Sequence, residues 1–269
     1  MRNIPLIITI SVGSVLLSAL IIYLGLILCG RGENKTPIPY VIYKTGNEED
    51  LAPELVNLFK ETIKMNPEYT LKYFSDTERR QFITNHFPPD VLNTYDKLEP
   101  GAYKADLFRY CLLYIRGGIY SDLTQTFIEP IKELVNNKYD RLVIVKDRKY
   151  YPHEHTAIAT GFIAAIPKLP IFLIAINGII DNVRNKEYGQ TSLDVTGPYL
   201  FEKSLKQSKI GPKMELEYVV YAGDKRHIRY IQSQKDVIKH KLSNHISLVG
   251  IKPDTDYRTL WFLRKVFKN

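Results

Sequence analysis

Three residues in the run Gly101 to Gln125, GAYKADLFRYCLLYIRGGIYSDLTQ, have types that apolar periodicity alone would not place there: Asp106, Arg109 and Asp122. Asp106 and Arg109 are three apart in a segment otherwise filled by Ala102, Ala105, Leu107, Phe108, Cys111, Leu112 and Ile115, so they share one face of a helix that is buried on several sides. A buried ion pair stabilises a helix poorly against an apolar replacement, which makes function the better reason for its position. Asp122 is an acid that can anchor a metal ion or the hydroxyls of a ligand.

The elements that must position these groups follow from the flanking residues. Gly117 and Gly118 end the helix by taking the left-handed conformation, and Ile119-Tyr120-Ser121-Asp122-Leu123 alternates as a strand. That strand carries Asp122 to its carboxyl end, where ligands bind in open α/β sheets, and 122 and 124 share a face by strand parity. Upstream, Tyr40 to Thr45 reads as a strand, Pro53 to Met65 as an amphipathic helix and Tyr69 to Phe74 as a second strand; Ser75-Asp76 then caps a helix running toward His86. Downstream, Arg141 to Lys146 and Ala157 to Ile166 read as strands, Pro170 to Val183 as an apolar helix, and Thr196 to Leu205 as a helix capped by Thr196 with Pro198 in its first turn. Short strands are expected at Tyr218 to Tyr221, His227 to Ile231 and Ile246 to Val249. Such alternation predicts an α/β fold with a mixed, mainly parallel sheet flanked by helices.

The segment around Asp106, Arg109 and Asp122 resembles the signature of the DXD-containing sugar transferases of the family 32 type, which includes the yeast initiating mannosyltransferases. Other stretches fit the same template in order. Ile38-Pro39-Tyr40-Val41-Ile42-Tyr43-Lys44-Thr45 is similar to a first strand of the form IPKIIHQTW. Gly161 to Pro167 resembles an NGFIASKP strand, Thr196-Gly197-Pro198 a TGP turn, and Asp256 to Trp261 a terminal HYSxLW element. The resemblance implies a GT-A-like domain over residues 38–269 that takes a UDP- or GDP-sugar as donor and a glycan or lipid-linked acceptor. It implies Asp122, Asp106 and Arg109 as catalytic groups, with Thr45, Thr124 and Trp261 joining them around the donor. It also implies retention of anomeric configuration and a Mn²⁺ or Mg²⁺ ion held by Asp122 and Asp256, with Asp254 as a further candidate. Two departures bear on that ion. Thr124 stands where the family carries the second Asp of the motif, and Asp256 where it carries a His. A neutral hydroxyl is a poorer ligand for a hard dication than a carboxylate, so a weakened metal site is expected.

Composition bounds the rest. Between Arg2 and Arg31 there is no charged residue, and Ile4 to Leu28 is long enough to cross a hydrocarbon core needing about 20 residues. Residues 1–30 are therefore expected to form a transmembrane signal-anchor, followed by a short polar stalk over 31–37. Positive charge flanks both ends, so the positive-inside rule leaves the orientation open. The resemblance implies a type II protein with its catalytic domain in the Golgi lumen. The net charge of +8 is scattered rather than clustered, which argues against nucleic acid as a partner. Cys29 in the apolar segment and Cys111 in the buried helix give no disulfide framework.

Two other function classes compete with the transferase. The Thr124 and Asp256 departures are compatible with a catalytically silent nucleotide-sugar- or carbohydrate-binding protein of the same fold. His153-Glu154-His155 raises a zinc hydrolase, but the i, i+2 spacing lacks the geometry of the zinc-protease helix, and a surface loop or a piece of an acceptor site is the expectation.

Overall fold

A computed structural model describes residues 37–46, 51–222, 225–240 and 256–268, apart from the His240 side chain. The chain divides into two units, Met1–Lys35 and Thr36–Asn269, and all described residues belong to the second. The expected anchor over 1–30, Asp254 and the expected strand Ile246 to Val249 lie outside the described residues. No helix among the described residues is long and apolar enough to cross a membrane.

The first half of the unit alternates strand and helix. Strand β1 (Val41–Thr45) leads into helix α1 (Pro53–Met65), strand β2 (Thr70–Phe74), and helices α2 (Asp76–His86), α3 (Pro89–Lys97) and α4 (Gly101–Arg116), which feed strand β3 (Gly118–Ser121). Local chemistry explains these boundaries. Pro53 opens α1, where its missing N–H costs nothing. Ser75 and Glu78 form a reciprocal capping box at α2: the Glu78 N–H donates to Ser75 Oγ at 3.3 Å and the Ser75 N–H donates to Glu78 Oε2 at 2.9 Å. Helical crossovers place β2, β1 and β3 side by side and parallel, with Ile42 opposite Ile119 and Tyr43 opposite Tyr120.

The second half is different. Strands β4 (Gln125–Phe127), β5 (Leu142–Lys149), β6 (Thr156–Ala165), β7 (Lys213–Tyr221), β8 (Lys225–Tyr230) and β9 (Asp236–His240) are joined mostly by short turns, with helices α5 (Ile131–Leu134), α6 (Pro170–Asn185) and α7 (Pro198–Ser208) between some of them. The strands form one nine-stranded sheet in the order β2-β1-β3-β6-β5-β7-β8-β9-β4. The expectation of a mainly parallel sheet is corrected here. Only β1·β2, β1·β3 and β5·β7 are parallel, and the other five pairings are antiparallel. A parallel pair needs a long crossover, and the β5–β6 and β7–β8–β9 connections are too short to supply one.

The sheet order also constrains shape. Only residues 122–124 separate β3 from β4, yet β4 pairs at the far end of the sheet with β9. The sheet must curl until that end returns beside β3, and the rings of Phe127 on β4 and Phe162 on β6 meet at 6.2 Å across the gap. The three-residue link is thus the point where the curl closes.

Two details of the site elements differ from expectation. The strand ends at Ser121, and residues 122–124 form a tight turn closed by the Gln125 N–H donating to the Asp122 carbonyl at 3.0 Å, so strand parity does not relate Asp122 to Thr124. Helix α7 is capped by Gly197, because the Thr196 hydroxyl is committed elsewhere. Gly117, by contrast, ends α4 as expected, at φ +62°; a β-carbon there would lie 2.7 Å from the Pro167 backbone nitrogen and 2.8 Å from the Ala165 carbonyl oxygen. Gly117→Ala is therefore expected to lose about 2–3 kcal/mol of unfolding free energy in urea titration, whereas a loss within about 0.5 kcal/mol would contradict this reading of the α4 terminus.

Candidate functional site: a buried ion pair beside the Asp122 turn

Helix α4 is buried along almost its whole length, and Asp106 and Arg109 project from it toward β3 and β6. Burying two charges requires that every polar atom find a partner. Asp106 accepts from the Thr196 hydroxyl at 2.7 Å and the Thr160 hydroxyl at 3.3 Å, and Arg109 Nη2 lies 3.3 Å from its Oδ1. Arg109 donates to the Thr160 carbonyl at 2.5 Å and to the Ala105 carbonyl at 3.3 Å, while its guanidinium carbon sits 4.3 Å from the centre of the Tyr120 ring. The fork has one further neighbour, Asp122 Oδ1, at 3.6 Å from Nη2. The three side chains inferred from sequence thus meet in one place, with Arg109 between the two carboxylates.

Exposure separates their roles. The side chains of Asp106 and Arg109 are 11% and 7% exposed, whereas that of Asp122 is 38% exposed. Burial raises the pKa of Asp106, opposed by Arg109 and the two threonine hydroxyls. For Arg109, burial works to lower the pKa, but Tyr120, Asp106 and Asp122 outweigh it and hold the guanidinium above its ordinary range. Asp122 is the member of the trio that a ligand can reach.

Asp122 is held by its own backbone. Its N–H donates to the Gly161 carbonyl at 2.8 Å. Gly161 is required by closeness, since a β-carbon there would lie 2.5 Å from Asp122 Oδ2 and 3.1 Å from Gln125 Nε2. Beneath the turn lies Lys44, a residue the sequence reading passed over. It is fully buried, and its Nζ donates to the Asp122 carbonyl at 2.9 Å, the Gln125 carbonyl at 3.1 Å and Ser121 Oγ at 3.3 Å. Ser121 Oγ spends its own proton on Gln125 Oε1 at 2.9 Å, so Nζ faces three acceptors and uses all three protons of an ammonium. Burial pulls the Lys44 pKa down to about 7, with the Asp122 charge opposing. A signal was present in the sequence: position 44 shares its strand face with Ile42, which is core.

The remaining expected site residues are placed as follows. Thr45 ends β1 and donates its hydroxyl to the Phe74 carbonyl at 2.8 Å. Thr124 is buried in the turn. Asp256 caps helix α8 (Tyr257–Phe262), accepting from the Arg258 and Thr259 N–H groups at 3.0 and 3.3 Å. Trp261 donates its indole N–H to the Tyr188 carbonyl at 2.7 Å. The residue that α8 brings toward the trio is Tyr257, whose ring lies 5.8 Å from that of Tyr103 and whose hydroxyl is held above its usual pKa by burial, with Arg258 opposing and Asp256 and Asp106 adding to the rise. The pKa of Tyr218 is likewise raised by burial, opposed by Arg226 and reinforced by Asp147, Tyr150 and Asp122.

The chemistry of the donor set decides how a dication fits. Asp122 offers one carboxylate, flanked by Arg109 and underlain by Lys44, and the Asp256 carboxylate is engaged as a helix cap. No group of three or more His, Cys, Asp or Glu side chains suited to a metal occurs among the described residues. The described donors do not make a resident dication site. Nor do His153 and His155 make a zinc centre: they turn to separate carboxylates, Asp194 at 3.0 Å and Glu202 at 3.3 Å, and His153 packs 3.6 Å from the Tyr199 ring centre.

Comparison with known proteins bears on what this arrangement handles. Residues 53–141, which contain the whole of α4 and the Asp122 turn, match the family described as a glycosyltransferase sugar-binding region containing a DXD motif. Similar proteins include an uncharacterized glycosyltransferase of Acanthamoeba polyphaga mimivirus, 34% identical over 32% of this chain and 35% of that protein. An initiation-specific alpha-1,6-mannosyltransferase of Saccharomyces cerevisiae is 32% identical over 37% of this chain and 22% of its own length. A mannosyl phosphorylinositol ceramide synthase of the same yeast is 27% identical over 64% of this chain and 43% of its own length. The chain therefore spans less than half the length of each of these relatives.

The two acids should separate in stability measurements. Asp106→Ala strands a buried guanidinium and is expected to cost about 3–5 kcal/mol in chemical denaturation. Asp122→Asn, at a half-exposed turn, is expected to cost within about 1 kcal/mol. Equal costs would contradict the division into a buried anchor and a ligand-facing acid.

Proposed function

We propose that this chain is a glycosyltransferase that moves a hexose or N-acetylhexosamine from a UDP- or GDP-sugar to a hydroxyl of a glycan or lipid-linked acceptor, with retention of configuration. One observation carries the reading: Asp106, Arg109 and Asp122 converge within hydrogen-bonding and ion-pair reach in the segment that matches the sugar-binding family. The names of the relatives, which include an initiation-specific alpha-1,6-mannosyltransferase and an inositol phosphoceramide mannosyltransferase, support mannose as the first sugar to test.

The chemistry asked of the chain is modest. Transfer passes through a sugar with oxocarbenium character while negative charge builds on the departing diphosphate. Asp122 accepts sugar hydroxyls at the mouth of the site, and its carboxylate favours the positive charge developing on the ring. Arg109 fixes the orientation of Asp122 and contributes positive potential toward the leaving group. Asp106 holds Arg109 in place and is itself fixed by Thr160 and Thr196. Because these dipoles and charges are already oriented, little reorganisation is needed at the moment of reaction. Thr45, Thr124 and Trp261 line or border the donor in this reading. Residues 1–30 anchor the chain in a membrane, 31–37 form the stalk, and 38–269 form the catalytic domain, lumenal in a type II arrangement.

The test is a donor panel. The full chain in detergent, offered UDP- and GDP-sugars including GDP-mannose, is expected to release nucleoside diphosphate with at least one donor, and Asp122→Asn to lower kcat/KM at least about 100-fold. Donor binding without release under any condition would replace the transferase with a silent binding protein of the same fold.

A further inference from the structure

The oxygen atoms of the Asp122 turn converge on a protein cation. Three acceptors from residues 121–125 point at Lys44 Nζ, which reaches them from the neighbouring strand β1 without any exposure to solvent. Arg109 stands 3.6 Å from the Asp122 carboxylate. Two carboxylates, Asp106 and Asp122, are thus faced by the Arg109 guanidinium and by Lys44 in the ammonium form that its three acceptors select.

This balance opposes a dication. A metal ion at Asp122 would have to displace or tolerate a guanidinium beside it and an ammonium beneath it, and like charges at such separations repel by amounts comparable with a typical binding energy. The position that would supply a second carboxylate is Thr124, which brings no negative charge to offset them. The same cations suit the other requirement of the site, because a nucleoside diphosphate is an anion whose charge must be met by something.

We propose that the Asp122 turn is neutralised from within the protein: Lys44 and Arg109 take the electrostatic place of a divalent cation, and the chain binds a nucleoside diphosphate without one. The inference rests on the transferase reading for its ligand. Lys44 acts here as a positioning residue, holding the turn that presents Asp122 and setting the potential beneath it, and does not itself touch the donor.

The experiment is a pair of titrations on the full chain stripped with chelator. In the first, Mn²⁺ alone is added and bound metal is followed by electron paramagnetic resonance. No saturable site tighter than about 1 mM is expected in the wild type, and the double variant Lys44→Gln/Thr124→Asp is expected to gain at least about tenfold in Mn²⁺ affinity. In the second, UDP and GDP binding is measured by calorimetry with chelator or with Mn²⁺, and the dissociation constant of whichever binds is expected to agree within about threefold between the two conditions. A stoichiometric wild-type Mn²⁺ site in the micromolar range overturns the proposal, and so does nucleoside diphosphate binding that disappears in chelator. Both leave the transferase reading standing. Failure of UDP and GDP to bind in either condition overturns the transferase reading, and this inference with it. The wild-type titrations decide the matter even if the double variant does not fold.

Discussion

Arg109 is the constraint around which the site is organised. A guanidinium that is 7% exposed can be tolerated only when its donors and its charge are met from several directions at once, and four different elements meet them. Asp106 and the Ala105 carbonyl come from α4 itself, the Thr160 carbonyl from β6, the Tyr120 ring from β3, and Asp122 from the turn that follows β3. Moving any of these elements leaves a buried charge without partners. The helix, the two strands and the turn are therefore locked into one arrangement, and Asp122, the only member with substantial exposure, inherits its direction from that lock.

The curl of the sheet supplies the second part of the arrangement. Since β3 and β4 are joined by three residues but lie six positions apart in the sheet, the link is confined to a tight turn. A turn so short directs its carbonyl oxygens inward, and a buried donor must satisfy them. Lys44 does so for two carbonyls and a hydroxyl. Gly161 completes the fit by leaving room for the Asp122 carboxylate against β6.

The sequence made some of this visible and hid the rest for physical reasons. Local chemistry was readable: Pro53 opens α1, Ser75 and Glu78 cap α2, and Gly117 ends α4, each through interactions within a few residues. The convergence of Asp106, Arg109 and Asp122 was readable because charges at apolar positions of a buried helix stand out against its periodicity. What depends on non-local pairing was not. The antiparallel half of the sheet is set by short connections whose partners lie far apart in sequence, and the strand expected to continue through Asp122 is cut short because Gln125 must leave for a different edge of the sheet. Thr196 looked like a helix cap, but its hydroxyl donates to the buried Asp106 carboxylate, a charged acceptor that holds it more strongly than a helix-end interaction would. Lys44 was missed although a lysine on the face of Ile42 is a cation aimed at the core.

The most direct measurement is an experimental structure of the full chain with a non-hydrolysable nucleotide-sugar bound. The account expects sugar hydroxyls within hydrogen-bond distance of the Asp122 carboxylate, with the Asp106–Arg109 pair intact behind it. A donor sugar seated elsewhere, with Asp122 untouched, would contradict it.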